Sequence, residues 1–82
     1  MKEILVTIYV LSIQQEFDLF LPIALNTNEA INMIQDSIVE MSDGNYEKKD
    51  VVYLYGEDGK VINSNNPVKY SGLTNGCRVL MI

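Results

Sequence analysis

The chain has 82 residues, a net charge of −5, 48% hydrophobic residues and 21% charged residues. This balance is typical of a globular protein and excludes a chain that stays disordered, and the length predicts a single domain over residues 1–82. No apolar run reaches the roughly 20 residues of a membrane helix, so we expect no membrane insertion. The one cysteine, Cys77, has no partner for an internal disulfide. Together with the lack of a convincing signal peptide, this predicts a cytoplasmic protein.

The charges are unevenly distributed along the chain. Between Glu3 and Glu47 there is no lysine or arginine, whereas carboxylates recur throughout that stretch. Lysines appear from Lys48 onward, but they form no basic stripe with interleaved aromatic residues. Because the acidic first half would repel a phosphate backbone, the sequence argues against nucleic-acid binding.

Two strands are predicted at the start of the chain. The β-branched and aromatic run Ile4–Leu11 favours a strand. Its two-residue period predicts one face made of Ile4, Val6, Ile8 and Val10. A polar turn leads into a second strand, Phe17–Leu21, and Pro22 ends it because proline lacks the amide that a ladder requires.

A helix is predicted after the second strand. Asn26 is a suitable N-cap, and Glu29 stands at the position that a capping box requires. Apolar residues then recur at helical spacing, at Ala30, Ile31, Ile34, Ile38 and Met41. Gly44 provides a C-terminal stop.

The second half of the chain begins with a predicted hairpin. A third strand, Val51–Tyr55, is followed by a turn at Gly56–Gly59 and by a short fourth strand, Lys60–Ile62. A polar loop, Asn63–Pro67, follows the hairpin.

An irregular connection and a last strand complete the predicted fold. Val68 and Leu73 are expected to contribute to the core from the connection, and Cys77–Ile82 forms the last strand. The order β-β-α-β-β-β predicts an α+β architecture, a mixed sheet of about five strands with one helix packed across one face.

This order and spacing resemble the ubiquitin-like β-grasp fold over essentially the whole chain. The segments that carry the resemblance are the first strand to Leu11, Phe17–Pro22, Ala30–Ile38, Val51–Tyr55 and Val68–Ile82. Among small bacterial members, the chain is most similar to the YukD/EsaB group, which accompanies type VII (WXG100, ESX-like) secretion systems in Gram-positive bacteria. The shared features are the size, the Phe-Asp-Leu-x-Leu-Pro strand at Phe17–Pro22, the Asn75-Gly76 turn, and a chain that ends on its last strand.

The resemblance implies a non-conjugated ubiquitin-like binding module. It would be an accessory or regulatory component of a type VII secretion system that docks onto a cytoplasmic domain of the secretion machinery. Conjugating relatives and sulfur carriers of this fold use a C-terminal Gly-Gly, whereas the nearest glycine here, Gly76, precedes the last strand. Since Ile82 is expected to be paired in the sheet, we expect no transfer through the chain end. The alternative is a degenerate modifier or sulfur-carrier-type protein that lacks the Gly-Gly.

Catalytic chemistry has few candidates in the sequence. Histidine is absent, which removes the usual general base and the commonest metal ligand. Cys77 therefore has no histidine neighbour, and we interpret it as structural. Asp36 and Glu40 are spaced as a carboxylate pair on the helix, but acid–base work needs a cleft, so a solvated pair is the simpler interpretation. We expect no enzyme activity, no cofactor and no metal site.

The sheet face away from the helix is the main predicted binding surface. If Val52 and Leu54 point inward, alternation sends six large side chains outward, those of Tyr9, Phe20, Tyr53, Tyr55, Leu80 and Ile82. A one-layer sheet leaves this face uncovered, and contiguous exposed apolar area marks an interaction site. By resemblance, the same face is the common recognition surface of ubiquitin-like domains. The alternative is that these residues are strand formers tolerated singly on a surface.

An acidic surface on the helix is the second candidate. Its residues are Glu29, Asp36, Glu40 and Asp43, which could dock onto a basic protein partner. A solubility face explains the same pattern, and Glu29 also fits the positive end of the helix dipole. Two copies of the chain could also meet through their sheet faces or strand edges in a weak homodimer.

Overall fold

Four strands and one α-helix organise the described part of the chain, residues 2–62 and 65–82 of the computed structural model. In chain order they are β1 (Glu3–Val10), β2 (Gln15–Pro22), α1 (Thr27–Met41), β3 (Leu54–Tyr55) and β4 (Cys77–Met81), with a 3₁₀ turn at Val68–Tyr70. The sheet order is β2-β1-β4-β3. β1 runs parallel to β4, and the other two pairs are antiparallel. The sheet is therefore mixed, as predicted.

The core lies between one face of the sheet and α1. The two-residue period of β1 is confirmed, because Ile4, Val6, Ile8 and Val10 are all buried while the residues between them are partly exposed. The buried apolar residues from the rest of the described chain are Leu21, Ala30, Ile34, Ile38, Tyr46, Leu54, Val68, Leu73, Val79 and Met81. Each large aliphatic side chain in this cluster contributes about 1.5–3 kcal/mol of transfer free energy. All of this burial is on one side of the sheet, so the other side has no cover within the described residues.

The start of α1 follows the predicted N-cap, and its end lies close to the predicted stop. The side-chain oxygen of Asn26 accepts a hydrogen bond from the backbone amide of Asn28 at 3.0 Å. At the other end, Gly44 adopts φ +78 and donates its amide to the carbonyl of Val39 at 2.9 Å. The C-cap is Ser42, and the first left-handed residue after it is Asp43 at φ +56, whose amide donates to the Glu40 carbonyl at 3.2 Å. The helix therefore ends close to the predicted glycine stop, with Asp43 rather than Gly44 in the position that most often holds glycine.

The predicted apolar stripe of α1 is confirmed except at its end. Ala30, Ile34 and Ile38 are buried, and Ile31 packs against the core while remaining partly exposed. Met41 is 50% exposed, so its place in the buried stripe was wrong. As the last helical residue, it has the right helical spacing but is not covered by the sheet.

The predicted hairpin of third and fourth strands is shorter than expected. Only Leu54–Tyr55 forms a strand, although Tyr53 still exchanges two backbone hydrogen bonds with Ile82. The predicted fourth strand, Lys60–Ile62, is reduced to an isolated bridge between Tyr55 and Val61. The described sheet therefore has four strands, one fewer than expected.

The reason for the missing strand lies in where the chain goes next. The carbonyl of Asn66 accepts hydrogen bonds from the amide and the hydroxyl of Thr27, and Pro67 bridges to Asn26. These contacts hold residues 66 and 67 at the start of α1 instead of along the sheet. Of the predicted polar loop, Asn63 and Ser64 lie outside the described residues.

The irregular connection before β4 contributes to the core as predicted. Val68 is fully buried in the 3₁₀ turn, and Leu73 is also buried. Next to them, the Asn75-Gly76 turn binds the backbone of Leu5. The Asn75 side-chain oxygen accepts a hydrogen bond from the Leu5 amide at 2.8 Å, and the Gly76 amide donates to the Leu5 carbonyl at 2.7 Å. Gly76 has φ +85, a conformation that favours glycine. This turn aligns β4 in parallel with β1.

Candidate protein-docking surface

A row of aromatic and aliphatic residues crosses the outer face of the sheet, the face opposite α1. Strand register places Tyr9 beside Leu80, and Leu80 beside Tyr55. The bridge between Tyr55 and Val61 extends this row by one more residue. Because neighbouring strands lie about 4.8 Å apart, these four side chains are adjacent on the surface.

A second apolar row lies directly next to the first. The backbone amide of Tyr53 donates to the Ile82 carbonyl at 2.9 Å, and the Tyr53 carbonyl accepts from the Ile82 amide at 3.0 Å. These two residues are therefore cross-strand partners. The amide of Leu11 donates to the carbonyl of Met81 at 3.1 Å, which continues the β1–β4 ladder and places Leu11 beside Ile82. Leu11, Tyr53 and Ile82 are each about half exposed (45%, 52% and 45%).

These two rows form a contiguous apolar surface that we call the outer band. Its residues are Tyr9, Leu11, Tyr53, Tyr55, Val61, Leu80 and Ile82. Five of them were among the six residues predicted for this face. Leu11 and Val61 were missed: Leu11 continues the alternation of Tyr9 beyond the strand end, and Val61 depends on the bridge to Tyr55. The signal for Leu11 was available, because the alternation of the predicted strand Ile4–Leu11 places it on the same face as Tyr9.

Phe20 is the predicted residue that the structure separates from the outer band. It is 63% exposed and lies opposite Leu5 on the same face. A polar row stands between it and Tyr9, because Thr7 pairs with Asp18 on β2 and with Arg78 on β4. Phe20 is therefore an isolated exposed aromatic residue.

The polar row next to the outer band is held together by weak contacts. The Thr7 hydroxyl donates to the Asp18 carboxylate at 2.7 Å. The guanidinium of Arg78 lies 3.8 Å from the carboxylate of Glu16, and the two side chains are 71% and 50% exposed. Such an exposed pair contributes at most about 1 kcal/mol. The Arg78 and Glu16 side chains are thus free to exchange partners.

The segment leading to Tyr53 is anchored by a buried amide on α1. Gln35 is 2% exposed. Its side-chain oxygen accepts from the Lys49 amide at 2.8 Å and from the Tyr46 hydroxyl at 2.7 Å, and its nitrogen donates to the Lys49 carbonyl at 3.1 Å. The side chain thus pairs with Lys49 much as a neighbouring strand would. We call Gln35, Tyr46 and the Lys49 backbone the amide clamp.

Sequence reasoning missed the amide clamp because a glutamine on a helix is usually solvated. The available signal is position: Gln35 follows Ile34 and stands four residues after Ile31, which places it at the edge of the apolar stripe. A polar residue there must either reach solvent or find partners. Here the chain after α1 supplies those partners.

Burial raises the pKa of the Tyr46 hydroxyl above the ordinary tyrosine value. Since the folded pKa is raised, the contribution of Tyr46 to stability is fully present below about pH 10, where tyrosine ionises in the unfolded chain, and is lost as the pH rises through the folded pKa. Tyr46→Phe removes both this titration and the hydrogen bond to Gln35. We expect it to lower the free energy of unfolding by about 0.5–1.5 kcal/mol at neutral pH.

Urea unfolding of the wild-type and Tyr46→Phe proteins at matched pH values would measure this effect. The stability difference between them should be constant up to about pH 10 and should shrink above it, because only the wild type has Tyr46 to ionise. A difference that stays constant through the alkaline range would contradict the titration of Tyr46.

The predicted acidic surface is exposed but partly neutralised. Glu29, Asp36, Glu40 and Asp43 are all solvent-exposed. The loop after α1 brings Lys48 to 2.9 Å from the Asp36 carboxylate, an ion pair that the helix sequence alone does not show. A role for this surface in docking stays a prediction.

Other kinds of site are not supported by the geometry of the described residues. An open groove of about 530 Å³ runs between α1 and the segment before β3, and the amide of Gln35 in its wall is already bonded to the clamp. In residues 2–62 and 65–82, no cluster of three histidine, cysteine or acidic side chains is arranged to hold a metal ion. Within the same ranges, no helix combines the length and the apolar composition needed to cross a bilayer.

Comparison with known proteins finds matches at the level of structure. No family model and no curated protein matches the chain. The ubiquitin-like domain of the Mycobacterium tuberculosis type VII secretion system protein ECCD1 is 16% identical, with a TM-score of 0.72 over 100% of this chain and 99% of that domain.

Two further solved structures show how widely the same architecture occurs. A ubiquitin-like domain of an Arabidopsis thaliana protein is 14% identical, with a TM-score of 0.67 over 100% of this chain and 78% of that one. A chain of the MycP5-free ESX-5 inner membrane complex is 11% identical, with a TM-score of 0.67 over 100% of this chain and 21% of that one. At sequence identities this low, the likeness to these structures establishes the fold and nothing further. The predicted ubiquitin-like fold is confirmed, with four strands in the described sheet.

Proposed function

We propose that this chain is a ubiquitin-like docking module of a type VII secretion system, and that its outer band binds a cytoplasmic domain of the secretion machinery. The observation that carries the proposal is the outer band itself. Its two rows place aromatic and aliphatic side chains from three strands side by side on the face that α1 does not cover. Contiguous exposed apolar surface of this kind is typical of an interaction site, and tyrosine is enriched at such sites.

The rigidity of the sheet supports docking through this surface. Tyr9 and Leu80 lie on the two central strands, β1 and β4, whose inward-facing neighbours Ile8, Val79 and Met81 are buried in the core. Tyr53 is held from one side by Ile82 and lies shortly after Lys49, which the amide clamp anchors. A preorganised apolar surface loses little conformational entropy when a partner binds.

The secretion pathway in this proposal is supported by likeness, because a fold by itself does not determine a function. The structural neighbours include the ubiquitin-like domain of ECCD1 and a chain of the ESX-5 inner membrane complex. The sequence features at Phe17–Pro22 and Asn75-Gly76 support membership of the YukD/EsaB group. Genes for WXG100 proteins and for a membrane ATPase of the FtsK/SpoIIIE kind next to this one would support the same pathway.

The proposal predicts that Tyr53→Ser combined with Tyr55→Ser abolishes capture of the partner. The immobilised chain would be incubated with each purified cytoplasmic domain of the type VII machinery from the source organism, and the retained domain would be measured. Both tyrosines lie in the outer band and outside the core cluster, so circular dichroism should show an unchanged fold. Truncating central aromatic anchors typically costs 2 kcal/mol or more of binding free energy each, about a 30-fold weakening.

Phe20→Ser is the matched control for this experiment. It removes an aromatic side chain of the same face that lies outside the outer band, so capture should be unchanged. Unchanged capture by the double tyrosine variant, or equal loss with Phe20→Ser, would remove the outer band from the proposal. Failure of every secretion domain to bind the wild-type chain would remove the pathway.

A further inference from the structure

The charged groups beside the outer band are mainly carboxylates. Glu16 lies beside Tyr9, and Asp18 lies beside Thr7, both on the edge strand β2. We call Glu16 and Asp18 the acidic rim. Both side chains are solvent-exposed, and the described residues of the polar row supply one cation near them, Arg78.

Arg78 does not neutralise the acidic rim. Its guanidinium contacts Glu16 at 3.8 Å, beyond the usual range of a charge-assisted hydrogen bond, and the backbone amide of Arg78 lies 3.3 Å from a third carboxylate, that of Glu57. Asp18 is bonded to the Thr7 hydroxyl, which adds no charge. Around Arg78 there are thus three carboxylates, those of Glu16, Asp18 and Glu57, against its one guanidinium.

Lys48 forms its ion pair on the other side of the molecule, away from the acidic rim. Lys48 pairs with Asp36 on α1, which covers the inner face of the sheet. The acidic rim thus retains its negative potential next to an apolar surface. A partner that covers the outer band must also approach this potential, and a partner with negative charge there would be repelled.

We propose that the acidic rim selects a protein partner whose apolar contact segment carries lysine or arginine where it faces β2. This inference rests on the proposed docking function and adds the chemistry of the partner. The exposed Arg78–Glu16 pair contributes little, so a partner's cation replaces Arg78 at low cost. Glu57 places a further carboxylate at the Tyr55 end of the first row, so the charges favour a basic partner without fixing its orientation.

Two other occupants fit the charge less well. Anionic lipid or nucleic acid would meet the same repulsion from the acidic rim. A second copy of this chain has a net charge of −5 and brings an identical acidic rim. A basic-flanked apolar segment of another protein satisfies both the outer band and the acidic rim.

Selection from a random peptide library displayed on phage tests the inference without knowledge of the natural partner. The wild-type chain would be the target, and the Tyr53→Ser, Tyr55→Ser double variant would be used to discard peptides that bind elsewhere. We expect the selected peptides to combine aromatic or aliphatic residues with an excess of lysine and arginine. A selected peptide, once synthesised, should bind more weakly as salt is added.

Charge variants then locate the effect. Glu16→Lys with Asp18→Lys should weaken binding of the selected peptide at least about tenfold. Glu29→Lys with Glu40→Lys makes the same change in net charge on α1 and should alter binding less than about twofold, because these charges lie on the other side of the molecule. If the reversal variant is poorly folded by circular dichroism, Glu16→Gln with Asp18→Asn removes the charges while keeping an amide acceptor for Thr7.

Several outcomes would overturn the inference. These are selected peptides without basic excess, equal loss of binding in the α1 variant, no enrichment over the double tyrosine variant, or a wild-type dimer that disappears with Tyr53→Ser and Tyr55→Ser. The test is separable from that of the proposed function. If the selected peptides are basic but no secretion domain is captured, only the proposed pathway is wrong. If a secretion domain is captured but the selected peptides lack basic residues, only the proposed role of the acidic rim is wrong.

Discussion

Replacement of Gln35 with leucine is expected to lower the free energy of unfolding by about 2–4 kcal/mol, because it leaves the polar groups of the amide clamp without partners. The Tyr46 hydroxyl, the Lys49 amide and the Lys49 carbonyl each lose their bond to the Gln35 side chain. A domain of this size has a total stability of about 5–10 kcal/mol, so the loss is a large fraction. Urea unfolding followed by circular dichroism would measure it.

The control for this prediction is a similar exchange one turn away on the helix. Asn32→Leu also replaces an amide side chain with leucine, but Asn32 is exposed, so its effect should stay within about 0.5 kcal/mol. Hydrogen exchange at the Lys49 amide should accelerate in the Gln35→Leu variant alone. A stability loss below about 1 kcal/mol would show that the clamp contributes little.

Ile34→Ala is expected to lower the free energy of unfolding by about 2–5 kcal/mol, the range for truncating a fully buried isoleucine. Ile34 is completely inaccessible to solvent in the cluster between α1 and the sheet. A small domain has a thin core, so the surrounding side chains can collapse only partly around the lost atoms. Thermal and urea unfolding of the purified variant would measure the change.

Met41→Ala is the informative comparison for Ile34→Ala. The helical spacing assigns Met41 to the same stripe as Ile34, whereas the structure leaves it 50% exposed. We therefore expect a change within about 0.5 kcal/mol at Met41. Equal losses at the two positions would mean that α1 packs along its whole length, against the observed exposure.

The outer band and the acidic rim together suggest how a small domain could bind its partner selectively. Apolar rows supply the area that a partner covers, and the charges beside them reject partners of the wrong sign. The central part of the outer band, Tyr9, Leu80 and Tyr55, crosses three strands, so a partner would contact residues far apart in the chain. Binding at this surface would therefore require an intact fold.

The sequence predicted local features well because each depends on residues close in the chain. Alternation in β1, the N-cap at Asn26 and the end of α1 near Gly44 all follow from backbone geometry over a few residues. The family resemblance predicted the ubiquitin-like fold for the same reason, because it rests on the order and spacing of these local elements. The predicted fourth strand failed because local propensity could not show that the chain turns toward α1 near Asn66.

By itself, the sequence determined which face of each strand is buried and therefore which residues could be exposed together. Only the tertiary structure decided which of those residues are neighbours: it joined Leu11 and Val61 to the outer band, separated Phe20 from it, and paired Asp36 with Lys48. The physical reason is that alternation is a property of one strand, whereas adjacency across a sheet depends on register. The register of β4 against β1 is held by long-range contacts such as those of Asn75 and Gly76 with Leu5, which lies 70 residues before Asn75 in the chain.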